Sequence, residues 1–160
     1  MDFPIWKTVE TGSIIHSANA YKKLKSAGVN ISGQAARMLE GTSYAIVGSS
    51  FDMVLAKPGD IGITEQVTRS LAYRKAADLG LYLCPAETAV ALLLQEPNLV
   101  VPKRGILSNY VQLAMVPIPY DCHGNVCEFA ISERSLGASY SSHFSGSDND
   151  RDLLVFIRGK

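Results

Sequence analysis

Residues 96–132 read EPNLVVPKRGILSNYVQLAMVPIPYDCHGNVCEFAIS, and within this stretch the chain changes character. Pro97, Pro102 and Gly105 mark an exposed connection. After it, YVQLAMVPI (110–118), VCEFAIS (126–132), GASYSSHF (137–144) and DLLVFIRG (152–159) are four runs of strand composition separated by turn residues. They predict an antiparallel β meander in the C-terminal half.

Upstream the grammar is helical. SANAYKKLKSAG (17–28) opens on Ser17 as cap, places Ala20, Tyr21 and Leu24 at helical spacing and stops at Gly28. VNISGQAARMLEG (29–41) repeats the pattern with Ser32 as cap and Gly41 as stop. TSYAIVGSSFDMVLAKPGD (42–60) turns to β-branched and aromatic residues around Gly48, Ser49 and Ser50, which predicts two strands joined by a short turn. VTRSLAYRKAADLG (67–80) is the strongest helix, with Thr68 as cap, Leu71, Ala72, Lys75, Ala76 and Leu79 on the core side and Gly80 as terminator. Its basic residues Arg69, Arg74 and Lys75 read as a solvated face. In LYLCPAETAVALLLQ (81–95) Pro85 suits a first helical turn and Glu87 complements the positive helix end, although VALLLQ alone has no decisive period. The fold class is therefore α+β, helices first and a sheet last. Residues 1–160 are read as one domain, divisible into a small helical and hairpin part, 1–60, and an α+β part, 61–160.

Bulk properties narrow the function. Of the 160 residues 47% are hydrophobic and 19% charged, as in ordinary globular chains. Fifteen Lys and Arg balance fifteen Asp and Glu, so no net field draws the chain to phosphates and nucleic acid is not an expected partner. The N-terminus lacks the basic start and apolar run of a secretory signal, and no apolar run approaches the ~20 residues of a membrane-spanning helix. Three cysteines, an odd number, fit a reducing compartment. A cytoplasmic protein that does not enter the membrane is the expectation.

The segments LGLYLCPAE (79–87), LAMVPI (113–118) and LLVFIRGK (153–160), with the opening Phe3, Pro4, Ile5 and Trp6, are similar to a group of uncharacterised proteins encoded, often in several copies, by uncultured bacteria of the candidate phyla. The similarity covers most of the chain. It departs at Val116, where the group tends to carry an acidic residue, and at Cys122 and His123, which stand in place of an Asp-rich turn. The group brings no function with it. The resemblance implies that LCPAE is a structural junction shared by relatives, and that Cys122 and His123 are individual to this chain.

Those two residues belong to YDCHGNVCEF (120–129). A two-residue turn at Gly124 and Asn125 would set His123 against Val126 and Cys122 opposite Cys127, close enough for a redox-sensitive bridge. Two free thiols on a hairpin is the plainer reading and the preferred one. Zinc needs four ligands, and adjacent strand residues point to opposite faces, so no metal is expected and no cofactor is implied. Cys84 at a helix start has the setting of an activated thiol, but a small apolar core residue explains it as well. No serine-hydrolase or phosphate-loop spacing occurs.

What remains is the segment ASYSSHFSGSDND (138–150), whose Tyr, Ser, His, Asn and Asp suit adaptable contact. It reads either as a contacting edge, with Tyr140, His143 and Phe144 as anchors and Ser145 to Asp150, Asp148 among them, as a polar rim, or as an ordinary solvent-facing strand and loop. The leading expectation is a non-catalytic binding or interaction domain presenting residues 138–150, together with the loop that carries Lys103 and Arg104, to a protein or small ligand. A small enzyme using Cys84 or His143 is second. Weak nucleic-acid binding through Lys22, Lys23 and Lys25 with Lys103 and Arg104 is third. If the last strand lies at the sheet edge, it offers a homodimer contact.

Overall fold

The structure, a computed structural model, describes residues 2–45, 47–102, 110–140, 143–144 and 153–159. In chain order the elements are β1 (Ile5–Glu10), α1 (Ser17–Ser26), β2 (Asn30–Ile31), α2 (Gly33–Glu40), β3 (Ser50–Ala56), a 3-10 turn (Pro58–Ile61), β4 (Val67–Thr68), α3 (Arg69–Asp78), β5 (Leu81–Tyr82), α4 (Glu87–Gln95), β6 (Val111–Leu113), β7 (Ile118–Pro119), β8 (Val126–Ser132), β9 (Ser135–Ser139), β10 (His143–Phe144) and β11 (Leu154–Arg158). Among the described residues no helix is long and apolar enough to cross a membrane.

The class is α+β, but the sheet is mixed rather than a closing meander. Its order is β1-β3-β11-β6-β8-β9-β2, with β5 beside β11 and β7 beside β8. β8 pairs antiparallel with β6, β7 and β9, so the middle of the predicted meander is present. The last strand, β11, does not continue it. It runs parallel to β6 and antiparallel to β3, in the middle of the sheet, because LLVF has no polar face to give to solvent and is buried on both sides. The last strand is therefore not at the sheet edge, the condition for a dimer contact through it. β10 leaves the main sheet altogether and pairs with β4.

The N-terminal half also departs from expectation. Among the described residues of 42–60 β3 is the one strand, and its partner is β1, which IWKTVE had not suggested. The long connection between them carries α1, β2 and α2, and the ladder extends through Thr11 N–H to Ser49 O at 2.9 Å. Gly12, at φ +101°, is required there: a Cβ would lie 2.6 Å from Gly48 Cα.

Helix boundaries follow their caps closely. Ser32 and Thr68 accept from the N–H groups of Ala35 and Leu71. His16 rather than Ser17 caps α1, its Nδ1 accepting from Asn19 N–H at 3.2 Å. VALLLQ is helical, within α4, where seven consecutive residues from Glu87 to Leu93 are buried. Such a run has no amphipathic period because the helix lies inside the core.

Two apolar clusters sandwich the sheet. One holds α1, α2 and α4 against Val111, Leu113, Cys127, Phe129, Ile131 and Val155. The other holds Ala72 and Ala76 of α3 against Val54, Ala56, Leu154, Phe156 and Phe144. Each large buried side chain such as Phe129 or Phe156 contributes about 1.5–3 kcal/mol. The inward face of α3 is thus Arg69, Ala72, Tyr73 and Ala76, while Leu71 and Leu79, expected inside, are exposed.

Candidate functional site

Period-two alternation on β8 sends Cys127, Phe129 and Ile131 into the helical cluster and Glu128, Ala130 and Ser132 to the opposite face, the side of α3. Glu128 is 0% exposed. Its Oε1 lies 2.6 Å from Arg69 Nε and accepts from Gln112 Nε2 at 2.9 Å. Oε2 accepts from Met115 N–H at 3.1 Å and from the Tyr73 hydroxyl. Gln112 in turn accepts, through Oε1, the Ser139 hydroxyl at 2.8 Å. Arg69, read from sequence as part of a solvated face, is instead 15% exposed and paired with the most buried acid among the described residues.

The chemistry of this cluster is that of a carboxylate held by donors. The guanidinium pairs with one oxygen by charge and a backbone N–H, which can only donate, takes the other. Burial nevertheless raises the Glu128 carboxyl above the ordinary glutamate range, outweighing the hydrogen bonds and Arg69 that pull it down. Burial likewise raises the Tyr73 phenol, with the neighbouring Glu128 charge acting in the same direction, so the hydroxyl is neutral and donates. Tyr73 also packs edge-on against Phe156, ring centroids 5.8 Å apart, and lies beside Phe144 at 6.1 Å. The ring contacts hold the phenol in place.

Two surface hollows flank the cluster. One, of about 450 Å³, opens at the start of α3, between Thr68, Arg69, Tyr73, Leu83 and Val116. The other, of about 570 Å³, lies on the outer face of β8 and β9. The cross-strand pairs there are Ala130 with Gly137 and Ser132 with Ser135, all small, and Ser139 sits opposite Glu128 at the inner end. Tyr110 and Tyr140 also line this groove. Tyr140 is 56% exposed and rests edge-on against Tyr120 at 5.4 Å.

The residues singled out from sequence scatter. Tyr140 takes a place in the groove. Phe144 is 1% exposed and belongs to the α3 cluster, so it is a core residue and not a surface anchor. His143 pairs in register with Thr68. Asp148, Lys103 and Arg104 lie outside the described residues. Cys127 is opposite Ile118, not Cys122, because Tyr120 N–H closes on Asn125 O and makes the turn longer than two residues. Asp121 organises that turn, its Oδ1 accepting from His123 and Asn125 N–H and its Oδ2 from Asn125 Nδ2. Cys122 is exposed, Cys127 buried, and both are free thiols.

Cys84 is buried and free; its Sγ donates to Val155 O at 3.4 Å. Burial pushes its thiol well above the ordinary range, the opposite of an activated nucleophile. Glu87 does stand in the first turn of α4, where its Oε2 accepts from Ala45 N–H at 3.1 Å. Of the lysines on α1, Lys23 Nζ donates to Ser13 O and Lys25 lies over the Tyr21 ring. Among the described residues no three His, Cys, Asp or Glu side chains gather as metal ligands do.

The cluster of Glu128, Arg69, Tyr73, Gln112 and Ser139 escaped the sequence reading. A glutamate inside an otherwise apolar run, VCEFAI, was the available signal, since a strand seldom buries an acid without a partner.

Fold and site together define an α+β domain with a buried ionic network under a shallow groove. Comparison with protein-family models, with curated proteins and with solved structures finds no match.

Proposed function

We propose that the chain is a non-catalytic binding domain whose recognition surface is the groove between Tyr110 and Tyr140. The observation that carries this is Gly137. A Cβ placed on it meets only Ala130 O, at 3.9 Å, so the fold has room for a side chain there and carries none. Glycine in a strand interior costs about 0.5–1 kcal/mol relative to alanine and commonly marks close approach by a ligand or another backbone. The volume, about 570 Å³, falls in the range of small-molecule sites. Tyrosine beside small polar residues offers amphipathic area with adaptable hydrogen bonding.

A small ligand is the first partner to seek, and an extended protein segment the second. Against a cysteine-dependent enzyme stands the burial of Cys84. Three unbridged thiols support a cytoplasmic setting.

The test is a fragment screen by amide-resolved NMR on the wild type and on Gly137→Val. Valine suits a strand and should leave the fold intact. Fragments that shift Ala130, Ser135 and Gly137 in the wild type and lose affinity in the variant support the reading. A screen without hits at these amides, or hits indifferent to Gly137→Val, refutes it.

A further inference from the structure

We infer that the groove selects ligands presenting an O–H or N–H donor to Ser139 and rejects anions, because the buried network fixes the hydrogen-bond sense of that residue. This rests on the groove being the binding surface.

The argument starts at Glu128. The Arg69 cation, 2.6 Å from Oε1, and the Met115 N–H on Oε2 favour the ionised carboxylate, whose oxygens can only accept. Gln112 must therefore turn its NH2 toward the carboxylate, which points its carbonyl oxygen at Ser139. That oxygen can only accept, so the single Ser139 proton is committed to it. Ser139 is 5% exposed and lines the groove, and with its proton given to Gln112 its oxygen has lone pairs and no proton to offer a ligand. Ser132 and Ser135, by contrast, are less buried, and an exposed hydroxyl rotates to take either sense.

The ligand class is consequently a small uncharged molecule with a flat body, able to lie against Tyr110 or Tyr140, and a hydroxyl, amide or amine proton at one end. A carboxylate or phosphate oxygen placed at Ser139 would meet those lone pairs and no proton.

Phenol, anisole and benzoate are matched probes, and NMR titration of the intact protein reads all three. Phenol is expected to shift the Ala130, Gly137 and Ser139 amides with a dissociation constant about five- to tenfold below that of anisole, the effect of one hydrogen bond. Benzoate is expected to leave these amides unmoved. Ser139→Ala should bring phenol and anisole to equal affinity; should that variant fail to fold, the wild-type comparison decides. Anisole or benzoate binding as tightly as phenol at the same amides overturns the inferred polarity and leaves the groove standing. If none of the probes shifts these amides while the fragment screen does, this inference alone fails; silence in both experiments removes the groove as well.

Discussion

Replacing Arg69 by methionine tests the ionic cluster directly. Arg69→Met keeps most of the apolar stem and removes the cation 2.6 Å from a carboxylate that is 0% exposed. An isolated ionised carboxylate in that position is penalised by several kcal/mol. Glu128 has a less costly course, which is to take up a proton and donate it to the Tyr73 hydroxyl oxygen. For a carboxyl of ordinary pKa 4.5, protonation at pH 7 costs about 3.4 kcal/mol, at about 1.36 kcal/mol per pH unit. At pH 5 the same step costs about 0.7 kcal/mol.

The sign follows from linkage. Loss of Arg69 raises the folded-state pKa of Glu128 further above its unfolded value. The stability of the variant is then fully present below the unfolded pKa and is lost as pH rises through the folded one. The deficit relative to wild type should accordingly grow from pH 5 to pH 7, with the protonation cost of about 3 kcal/mol at pH 7 as its upper bound because Glu128 is already raised in the wild type. Urea denaturation followed by far-UV circular dichroism at pH 5, 6, 7 and 8 measures it. In the double variant Arg69→Met, Glu128→Gln the contribution of position 128 to the pH dependence of stability should vanish. A deficit for the single variant below about 1 kcal/mol at pH 7, or one equal at pH 5 and pH 8, would refute the ion-pair account.

Gly12→Ala forces a side chain into positive φ and against the Gly48 backbone, and should destabilise by about 2–4 kcal/mol; a loss under 1 kcal/mol by the same urea titration contradicts the close approach. Native alkylation with iodoacetamide should add one adduct, at Cys122, and three after unfolding in urea; native modification of Cys84 at a comparable rate would show that its burial is wrong. The Asn125 side chain, followed by the Asn125 and His123 amides, holds the Asp121 carboxyl below its ordinary range. Its contribution to the turn is present above the ordinary value of 3.8 and lost as pH falls through the depressed one, so the His123 and Asn125 amide shifts should titrate below 3.8. Titration at or above that value would exclude the proposed hydrogen bonds.

The sequence by itself determined what depends on neighbours along the chain. Ser32, Thr68 and Gly80 stand at helix boundaries because capping is local, and Cys127, Phe129 and Ile131 of VCEFAIS share one face because strand side chains alternate. The α+β class followed from those elements. Where two periods were equally compatible, as in VALLLQ, only its enclosure between the sheet and α1 settled on a helix.

The tertiary structure decided strand order, and with it every feature of the site. Nothing local in LLVFIRG distinguishes an edge from the centre of a sheet; the choice depends on which surfaces β3 and β6 leave to be covered. Nor could the sequence bring Arg69 to Glu128, 59 positions apart in numbering, or turn a basic residue on an amphipathic helix inward. A charge is buried only when its partner arrives from elsewhere in the fold, because desolvation is compensated in space and not along the chain. Chain-local physics therefore set the elements, and packing between them turned one glutamate into the centre of a candidate site.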